Sequence, residues 1–534
     1  MQGQQEKAKT YIGIAADSIE HMMEQAKDRY GAKQTPLFAD GFQVDTFEPV
    51  RWKSNGEVWT LSNLGNQQNW LRSLAGLSAL TGDSKYKQRA LEAVRYGLDQ
   101  LRYGDLLYWG GHLAFDLEEK RPVHASDKGP QHELKCHYPF YDLMYEANPQ
   151  HAVRYIEAFW DSHVRDWGNL EFNRHGQPRE REAGYCVWDN VYGGEEVFFT
   201  AEGLTFINAG SDLYYAAAEL YRLNGNEKAL LWAKRMAQRY ADTRHPETGM
   251  GGYQFSISVL PGRRGDRAID QFAGQLEGHR VIEATLSVAR QVHTITAEAA
   301  LCRLELAEGL GEAGAEFLRW AVEDLLAYGR HSYDMADHCF HPVLTDGTRL
   351  TGLELLRDGY YGKQGEKLAA AKADFIQLWS YAKAYRLSRE PELWQLVRSM
   401  AAGRGLGEIG EQPGGAPALT GSACGEPAAI FALLELYRAT GGAAFLAAAC
   451  EAADAMVAAR LHKRVFLAQP DFAYAKLDAI EPLALLHLAA ELAGRPGSVP
   501  VYSGGKAFFG AAHDGYGHEV DTQFVYRRLL GETV

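Results

Sequence analysis

A pair of amphipathic helices recurs along the 534-residue chain, and this repeat restricts the fold more than any other feature. In residues 66–101, apolar residues fall at helical spacing on both sides of a break at Thr81-Gly82-Asp83. Glycine favours the end of a helix and aspartate the start of the next one, so this segment is predicted to be a helix hairpin. Similar patterns are found at 138–166, 211–243, 294–330, 374–401 and 427–460.

A seventh pair would form if the helix predicted at 478–493 packs against the N-terminal helix at about 4–29. The interval between pairs varies, which fits a solenoid of fixed period poorly. We therefore predict an all-α-dominated fold in which about seven helix hairpins form an α/α barrel. The barrel would be a single catalytic domain over residues 1–534, with the N-terminal and late helices closing the ring. An open helical scaffold that binds a partner is the alternative.

Long segments rich in Gly, Trp and His separate several of these pairs, at 102–137, 167–210, 244–280 and 331–374. Positioned chemistry is usually found in such loops. A scaffold protein would instead be expected to have short, polar and repetitive turns between its helices. The long loops therefore favour an enzyme.

The charge balance excludes some partners. The chain has 55 Lys and Arg against 69 Asp and Glu, a formal net charge of −14, which argues against general nucleic-acid binding because that depends on neutralising phosphates. No run of eighteen apolar residues is present, so we expect no contact with a membrane. The N-terminus lacks the apolar core of a signal peptide, and six cysteines show no paired spacing. These features predict a cytoplasmic protein, with a processed mature form as the alternative.

Candidate metal ligands lie in the first two long loops. A zinc protease of the H-E-x-x-H class is excluded, because His132 and His137 are five residues apart rather than four. His112, Glu133 and His175 would instead supply two imidazoles and one carboxylate. This donor set suits a catalytic divalent transition metal and leaves positions open for substrate. Histidines that are merely hydrogen-bonded within the packing remain the alternative.

The segments that carry these residues resemble polysaccharide lyase family 2. The resemblance lies in the order and spacing of Gly110-Gly111-His112, of His132-Glu133-Leu134-Lys135 with His137-Tyr138-Pro139, and of Arg174-His175. It implies an (α/α)7 barrel and a pectate lyase that cleaves polygalacturonate or oligogalacturonides by β-elimination, with an exolytic, disaccharide-releasing mode expected.

The same resemblance implies roles for individual residues. His112, Glu133 and His175 match the metal ligands of the family, and Arg174 matches its Brønsted base. We expect the metal to be Mn²⁺, with Ni²⁺, Co²⁺ and Mg²⁺ as alternatives. Arginine is an unusual base because its side chain normally stays protonated, although nearby cations disfavour the charged form. The alternative is that Arg174 remains charged and clamps a carboxylate.

A polyanionic substrate also requires local positive charge. Arg181, Arg264, Lys135 and His137 are predicted to contact it, although loop arginines are often simply solvated or ion-paired. Other enzyme classes stay open at this point. A glycoside hydrolase needs a pair of carboxylates, which Asp189, Glu195, Glu196 and Asp212 could supply, and a sugar epimerase would use histidines without a metal. A second candidate metal site is the histidine run His331, His338 and His341 together with Asp334 and Asp337, and packing of this loop against the barrel rim explains it equally well.

Overall fold

The computed structural model describes residues 2–54, 56–126, 129–180, 182, 184–195, 206–251, 292–358, 362–420, 425–502, 504–505, 510–513 and 517–520. Within these residues the chain forms fourteen α-helices. They are α1 (Gln2–Ala26), α2 (Gln68–Thr81), α3 (Lys85–Gln100), α4 (Tyr141–Ala147), α5 (Pro149–His163), α6 (Ile207–Asn224), α7 (Glu227–Asp242), α8 (Val292–Leu310), α9 (Ala315–His331), α10 (Phe375–Ser388), α11 (Pro391–Gly403), α12 (Pro427–Thr440), α13 (Ala443–Arg460) and α14 (Glu481–Leu492).

The even-numbered helices form an inner ring and the odd-numbered helices surround it. The order of helices along the ring is α4, α6, α8, α10, α12, α14 and α2. Each helix after α4 packs against the helix before it in this order. The ring continues from α2 to α4 through hydrogen bonds, in which the Phe140 N–H donates to Gln68 Oε1 at 2.7 Å and Arg72 donates to the Tyr138 carbonyl at 2.6 Å. Each outer helix packs on an inner partner, and α1 packs on α14. The predicted α/α barrel of seven helix pairs is confirmed.

Short turns join each inner helix to the outer helix that follows it. Glycines in the left-handed conformation end three of the inner helices, at Gly82 (φ 78°), Gly225 (φ 77°) and Gly441 (φ 71°). The side chain of Asn226 then caps α7 by accepting a hydrogen bond from the Ala229 N–H at 3.0 Å. These are the breaks that the sequence pattern predicts. The long connections among the described residues therefore run from an outer helix to the next inner helix, and they gather at the N-terminal end of the inner ring.

Short antiparallel strands, which the helical prediction does not include, occupy these connections and the segment that follows α14. They are β1 (Gly41–Gln43), β2 (Arg51–Ser54), β3 (Glu57–Ser62), β4 (Arg102–Tyr103), β5 (Leu106–Leu107), β6 (Leu113–Asp116), β7 (Arg121–His124), β8 (Val164–Asp166), β9 (Glu171–Phe172), β10 (Tyr333–Asp334), β11 (Cys339–Phe340), β12 (Ala371–Lys372), β13 (Gly407–Glu408), β14 (Ala418–Leu419), β15 (Leu461–His462), β16 (Val465–Phe466), β17 (Tyr474–Lys476), β18 (Gly510–His513) and β19 (Gly517–Val520).

The largest sheet among the described residues has four strands in the order β2-β3-β6-β7. Buried apolar side chains, including Trp52, Trp59 and Leu61, give it a small core of its own. The buried carboxylate of Asp116 at the end of β6 accepts a hydrogen bond from the Thr60 N–H at 3.0 Å. The sheet thus fixes the segment that runs from β5 to β7 at the N-terminal end of the barrel.

No helix in the described parts of the chain combines the length and apolar character that crossing a membrane requires.

Candidate metal centre and active site

Two long connections supply the candidate site at the N-terminal end of the ring. His112 lies just before β6, Glu133 lies between β7 and α4, and His175 follows β9. The second and third segments are joined directly, because His132 and Gly176 form an isolated antiparallel bridge. Its two backbone N–H···O=C hydrogen bonds measure 2.9 and 2.8 Å. The bridge therefore sets Glu133 beside His175.

Two glycines allow the first segment to approach Glu133. Gly110 (φ 78°) and Gly111 (φ 58°) both have left-handed backbones, and a Cβ added to Gly111 would lie 2.7 Å from Glu133 Cβ. Asn63 holds this turn, because its Oδ1 accepts the Gly110 N–H at 2.9 Å and its Nδ2 donates to the Leu113 carbonyl at 3.0 Å. Only glycine fits such a close contact without a shift, so the Gly-Gly-His run is explained by packing against the carboxylate.

The three candidate ligands converge as the sequence predicts. Their donor atoms all lie within 4.8 Å of one another, with Glu133 Oε2 at 3.6 Å from His112 Nε2 and at 3.4 Å from His175 Nε2. These separations exceed the roughly 2.7–2.9 Å of a direct charge-assisted hydrogen bond. Adjacent donors that each lie about 2.1 Å from a shared metal are ~3.0–3.5 Å apart. The separation from His175 falls within this range, and the separation from His112 is slightly longer.

The chemistry of the donor set also fits a divalent transition metal. Glu133 is 1% exposed, and the buried Nε2 of His175 has no hydrogen-bond partner among the described residues. A buried polar atom without a partner is costly, and coordination would satisfy it. Two imidazoles and one carboxylate favour a transition metal over calcium, which prefers oxygen ligands.

The other oxygen of Glu133 faces two cations. Lys135 Nζ lies 2.9 Å and Arg174 Nε 3.3 Å from Oε1, and the Arg174 guanidinium stacks over the Phe206 ring at 5.3 Å. Burial raises the pKa of the Glu133 carboxyl, but the Lys135 charge, the His175 contact and the Arg174 charge outweigh it and hold that pKa well below its usual range. Glu133 is therefore ionised and able to bind a metal at neutral pH.

A buried aspartate fixes the turn that follows Glu133. Asp212, near the start of α6, accepts hydrogen bonds from the backbone N–H groups of His137 at 3.1 Å and Tyr138 at 2.9 Å. Cys136 (φ 57°) and Tyr138 (φ 44°) have left-handed backbones in this turn, which is unfavourable for residues with a side chain. Sequence reasoning considered Asp212 only as a hydrolase carboxylate, and it missed Asn63 because no local pattern reveals a long-range cap.

The four residues predicted to contact substrate differ from one another in exposure and in whether the structure describes them. Lys135 has a side chain that is 25% exposed beside Arg174, whereas His137 is 1% exposed and its Nδ1 accepts the Lys135 N–H at 2.8 Å. Burial lowers the pKa of His137 to about 3, so this ring is neutral. Arg181 and Arg264 lie outside the described residues. All four remain predictions.

Two of the four carboxylates considered for a hydrolase have other partners. Asp212 is buried and holds the backbone as described above, and Asp189 forms an ion pair with Lys228. Glu195 is described, while Glu196 lies outside the described residues. The geometry gives no support to a hydrolytic carboxylate pair built from Asp189 and Asp212.

A second group of potential ligands lies at the β10–β11 hairpin. Asp334, Asp337 and His341 bring donor atoms within 4.8 Å of one another. His341 Nε2 is already 3.1 Å from Asp337 Oδ2, and Arg349 lies 3.5 Å from Asp334. The other ring nitrogen of His341 is also engaged, since Nδ1 lies 2.9 Å from Thr351 Oγ1, whereas the buried Nε2 of His175 has no hydrogen-bond partner among the described residues. The first cluster is therefore the better metal site. His338 is not part of the group, and its ring bonds to Ser399 Oγ at 2.9 Å.

Comparison with known proteins identifies the family of this chain. A family described as periplasmic pectate lyase matches residues 35–512. A pectate disaccharide-lyase of Dickeya dadantii (strain 3937) is 30% identical over 522 residues, which is 93% of this chain and 92% of the relative.

Solved structures that are similar to this one include a GH76 α-mannanase of Bacteroides thetaiotaomicron (TM-score 0.44, 10% identity, 91% of this chain and 96% of the mannanase). A D-mannose isomerase is also similar (TM-score 0.43, 12% identity, 74% and 86%).

The family description corrects the predicted cellular location. A cytoplasmic protein was expected, but the matching family is periplasmic. Two features led to that prediction, the N-terminus without the apolar core of a signal peptide and the cysteines without paired spacing. Neither distinguishes a cytoplasmic protein from a periplasmic one. A leader is removed on export and so leaves no trace in a mature chain, and a cysteine buried in the core, as Cys136, Cys302 and Cys450 are, is protected from oxidation in either compartment.

Proposed function

The chain belongs to the pectate lyase family that matches residues 35–512 and is a polysaccharide lyase, and from this premise we propose that it degrades polygalacturonate by metal-assisted β-elimination at the His112–Glu133–His175 cluster. The observation that carries the proposal is the convergence of these three donors within 4.8 Å of one another, with Arg174 on the same carboxylate.

The reaction makes defined demands on the site. The C5–H bond of a galacturonate unit breaks and its proton passes to a base. The electron pair forms the C4=C5 double bond, the C4–O bond breaks, and the leaving oxygen takes up a proton. A divalent metal held by His112, Glu133 and His175 would neutralise the sugar carboxylate and stabilise the charge that develops next to it.

Arg174 is the base in this proposal. Its Nε lies 3.3 Å from Glu133 Oε1, and its side chain is 24% exposed, so the guanidinium is held beside the cluster yet open to substrate. Stacking on Phe206 restricts its position. Lys135 adds a second positive charge nearby, since its Nζ lies 2.9 Å from the same oxygen of Glu133. A substrate carboxylate would meet both cations as it approaches.

The metal and the products are part of the same proposal. We propose Mn²⁺, because imidazole nitrogens with one carboxylate suit the transition series. We also propose exolytic cleavage that releases an unsaturated disaccharide, in line with the activity named for the Dickeya dadantii relative.

One assay tests these proposals together. Polygalacturonate is incubated with the protein, with and without chelator, and the ultraviolet absorbance of the unsaturated uronate is followed while products are sized by chromatography. We expect a chromophore that chelator abolishes and Mn²⁺ restores, with disaccharide as the product from the earliest times. Activity that survives chelation would contradict the metal, and a mixture of longer fragments at early times would contradict the exolytic mode.

A further inference from the structure

A buried chain of hydrogen bonds lies behind the candidate metal ligands. Trp109 Nε1 donates to Tyr155 Oη at 2.8 Å, and Tyr155 Oη lies 3.0 Å from His132 Nε2. His132 Nδ1 lies 3.1 Å from His163 Nε2, and His163 Nδ1 lies 2.7 Å from the Asn173 carbonyl oxygen. The four side chains are at most 3% exposed.

The two ends of this chain fix the direction of every bond between them. The Trp109 indole N–H can only donate, and the Asn173 carbonyl can only accept. His163 therefore carries its proton on Nδ1 and accepts at Nε2 from the Nδ1–H of His132. Nε2 of His132 in turn accepts the hydroxyl proton of Tyr155. Both imidazoles are neutral in this arrangement, and each has one tautomer.

Three segments of the protein carry the candidate metal ligands. Each end and the middle of this hydrogen-bond chain adjoin a different one of them. Trp109 comes three residues before the first ligand, and His132 directly precedes the second. Asn173 lies two residues before the third, and its own Oδ1 accepts the backbone N–H of His175 at 2.9 Å. Tyr155 and His163 lie on α5, so one rigid helix links all three segments.

We propose that Tyr155, His132 and His163 are positioning residues, which hold the three ligand segments in register for metal binding through this single directed hydrogen-bond chain. The inference rests on the proposed metal site and deepens it. Groups that orient metal ligands typically change metal affinity or activity by about 10- to 100-fold when they are removed. Tyr155, 20 residues or more from every proposed ligand in sequence, would then be required for metal affinity without touching metal or substrate.

The test is Tyr155→Phe, which keeps the ring and removes the hydroxyl that joins Trp109 to His132. The full-length protein is titrated with Mn²⁺ by calorimetry, and kcat and KM are measured on polygalacturonate at saturating Mn²⁺. The matched control is Tyr11→Phe on α1. It also removes a buried hydroxyl that is hydrogen-bonded, at 2.8 Å to Asp454 and at 3.1 Å to the Cys450 carbonyl, but it does so on a helix that supplies no ligand.

We expect Tyr155→Phe to weaken Mn²⁺ binding by about 10-fold or more and to lower kcat with little change in KM, while Tyr11→Phe binds Mn²⁺ as the wild type does. Wild-type Mn²⁺ affinity in Tyr155→Phe, or an equal loss in Tyr11→Phe, would overturn the inference and leave the proposed function intact. A wild-type protein that binds no Mn²⁺ would overturn both.

A second variant keeps the test valid if Tyr155→Phe does not fold. Trp109→Phe leaves Tyr155 in place but removes the donor that fixes the direction of its hydroxyl. We expect a smaller loss of Mn²⁺ affinity of the same sign, and unchanged affinity would again overturn the inference.

Discussion

Replacing Gly111 with alanine should disable the metal centre through a steric effect alone. The left-handed backbone at this position (φ 58°) costs a residue with a Cβ about 1–2 kcal/mol. The new Cβ would also lie 2.7 Å from Glu133 Cβ and 3.3 Å from Glu133 Oε2. Carbon atoms in contact are normally about 3.5–4.0 Å apart, so Glu133 would have to move by roughly 1 Å.

A displacement of this size is large compared with the tolerance of the site. Glu133 Oε2 lies 3.6 Å from His112 Nε2, and a shift of about 1 Å in a positioned group can cost on the order of 100-fold in rate. We therefore expect Gly111→Ala to lose most Mn²⁺ affinity and to lower kcat/KM by about 100-fold.

Gly82→Ala is the matched control, because Gly82 has a similar backbone (φ 78°) with no atom within 4 Å of an added Cβ. Gly82→Ala should lose about 1–2 kcal/mol in the free energy of unfolding, measured by urea denaturation, and should keep full Mn²⁺ affinity in calorimetry. Gly111→Ala should lose more, because the overlap with Glu133 adds to the same backbone cost. The steric reasoning is refuted if Gly111→Ala binds Mn²⁺ and turns over as the wild type does, or if Gly82→Ala is equally impaired.

Three further predictions concern single side chains. Arg174→Lys should reduce turnover by at least about 100-fold while metal content, measured by elemental analysis, stays unchanged; retained turnover would remove Arg174 from the role of base. His175→Ala should lose metal and activity together, and an unchanged metal content would point to other ligands. Burial raises the pKa of Asp212 to about 7, so between about pH 4 and pH 7 the folded protein keeps a proton that the unfolded chain has lost. The contribution of Asp212 to stability should therefore fall as pH rises through this range, by up to about 1.4 kcal/mol per pH unit. Asp212→Asn keeps an accepting oxygen and should make the slope of stability against pH less negative by up to this amount, as urea denaturation of both proteins across the range would show; identical slopes would exclude the effect.

The helical framework could be predicted because its signals are local. The period of apolar residues defines each helix, and left-handed glycines such as Gly82 and Gly225 end the inner helices where the sequence breaks. The strands β4 to β9 were not predicted, because strands of two to four residues are too short to show an alternating pattern. β6, for example, is buried at all four positions, so it shows no alternation at all.

The candidate ligands could be chosen only through the resemblance to a family, since eighteen histidines offer many combinations. Their convergence depends on long-range backbone contacts, such as the bridge between His132 and Gly176, and on the cap that Asn63 provides. No local pattern encodes the register of such contacts. The roles of Asp212 and Tyr155 stayed hidden for the same reason, because each acts on a segment that is far away in sequence.

The central claim is that His112, Glu133 and His175 bind one divalent cation beside Arg174. Anomalous diffraction at the manganese edge, from crystals soaked in Mn²⁺, tests it most directly. We predict one strong peak about 2.0–2.2 Å from each of the three donor atoms. No peak there, or a peak only at Asp334, Asp337 and His341, would contradict the account.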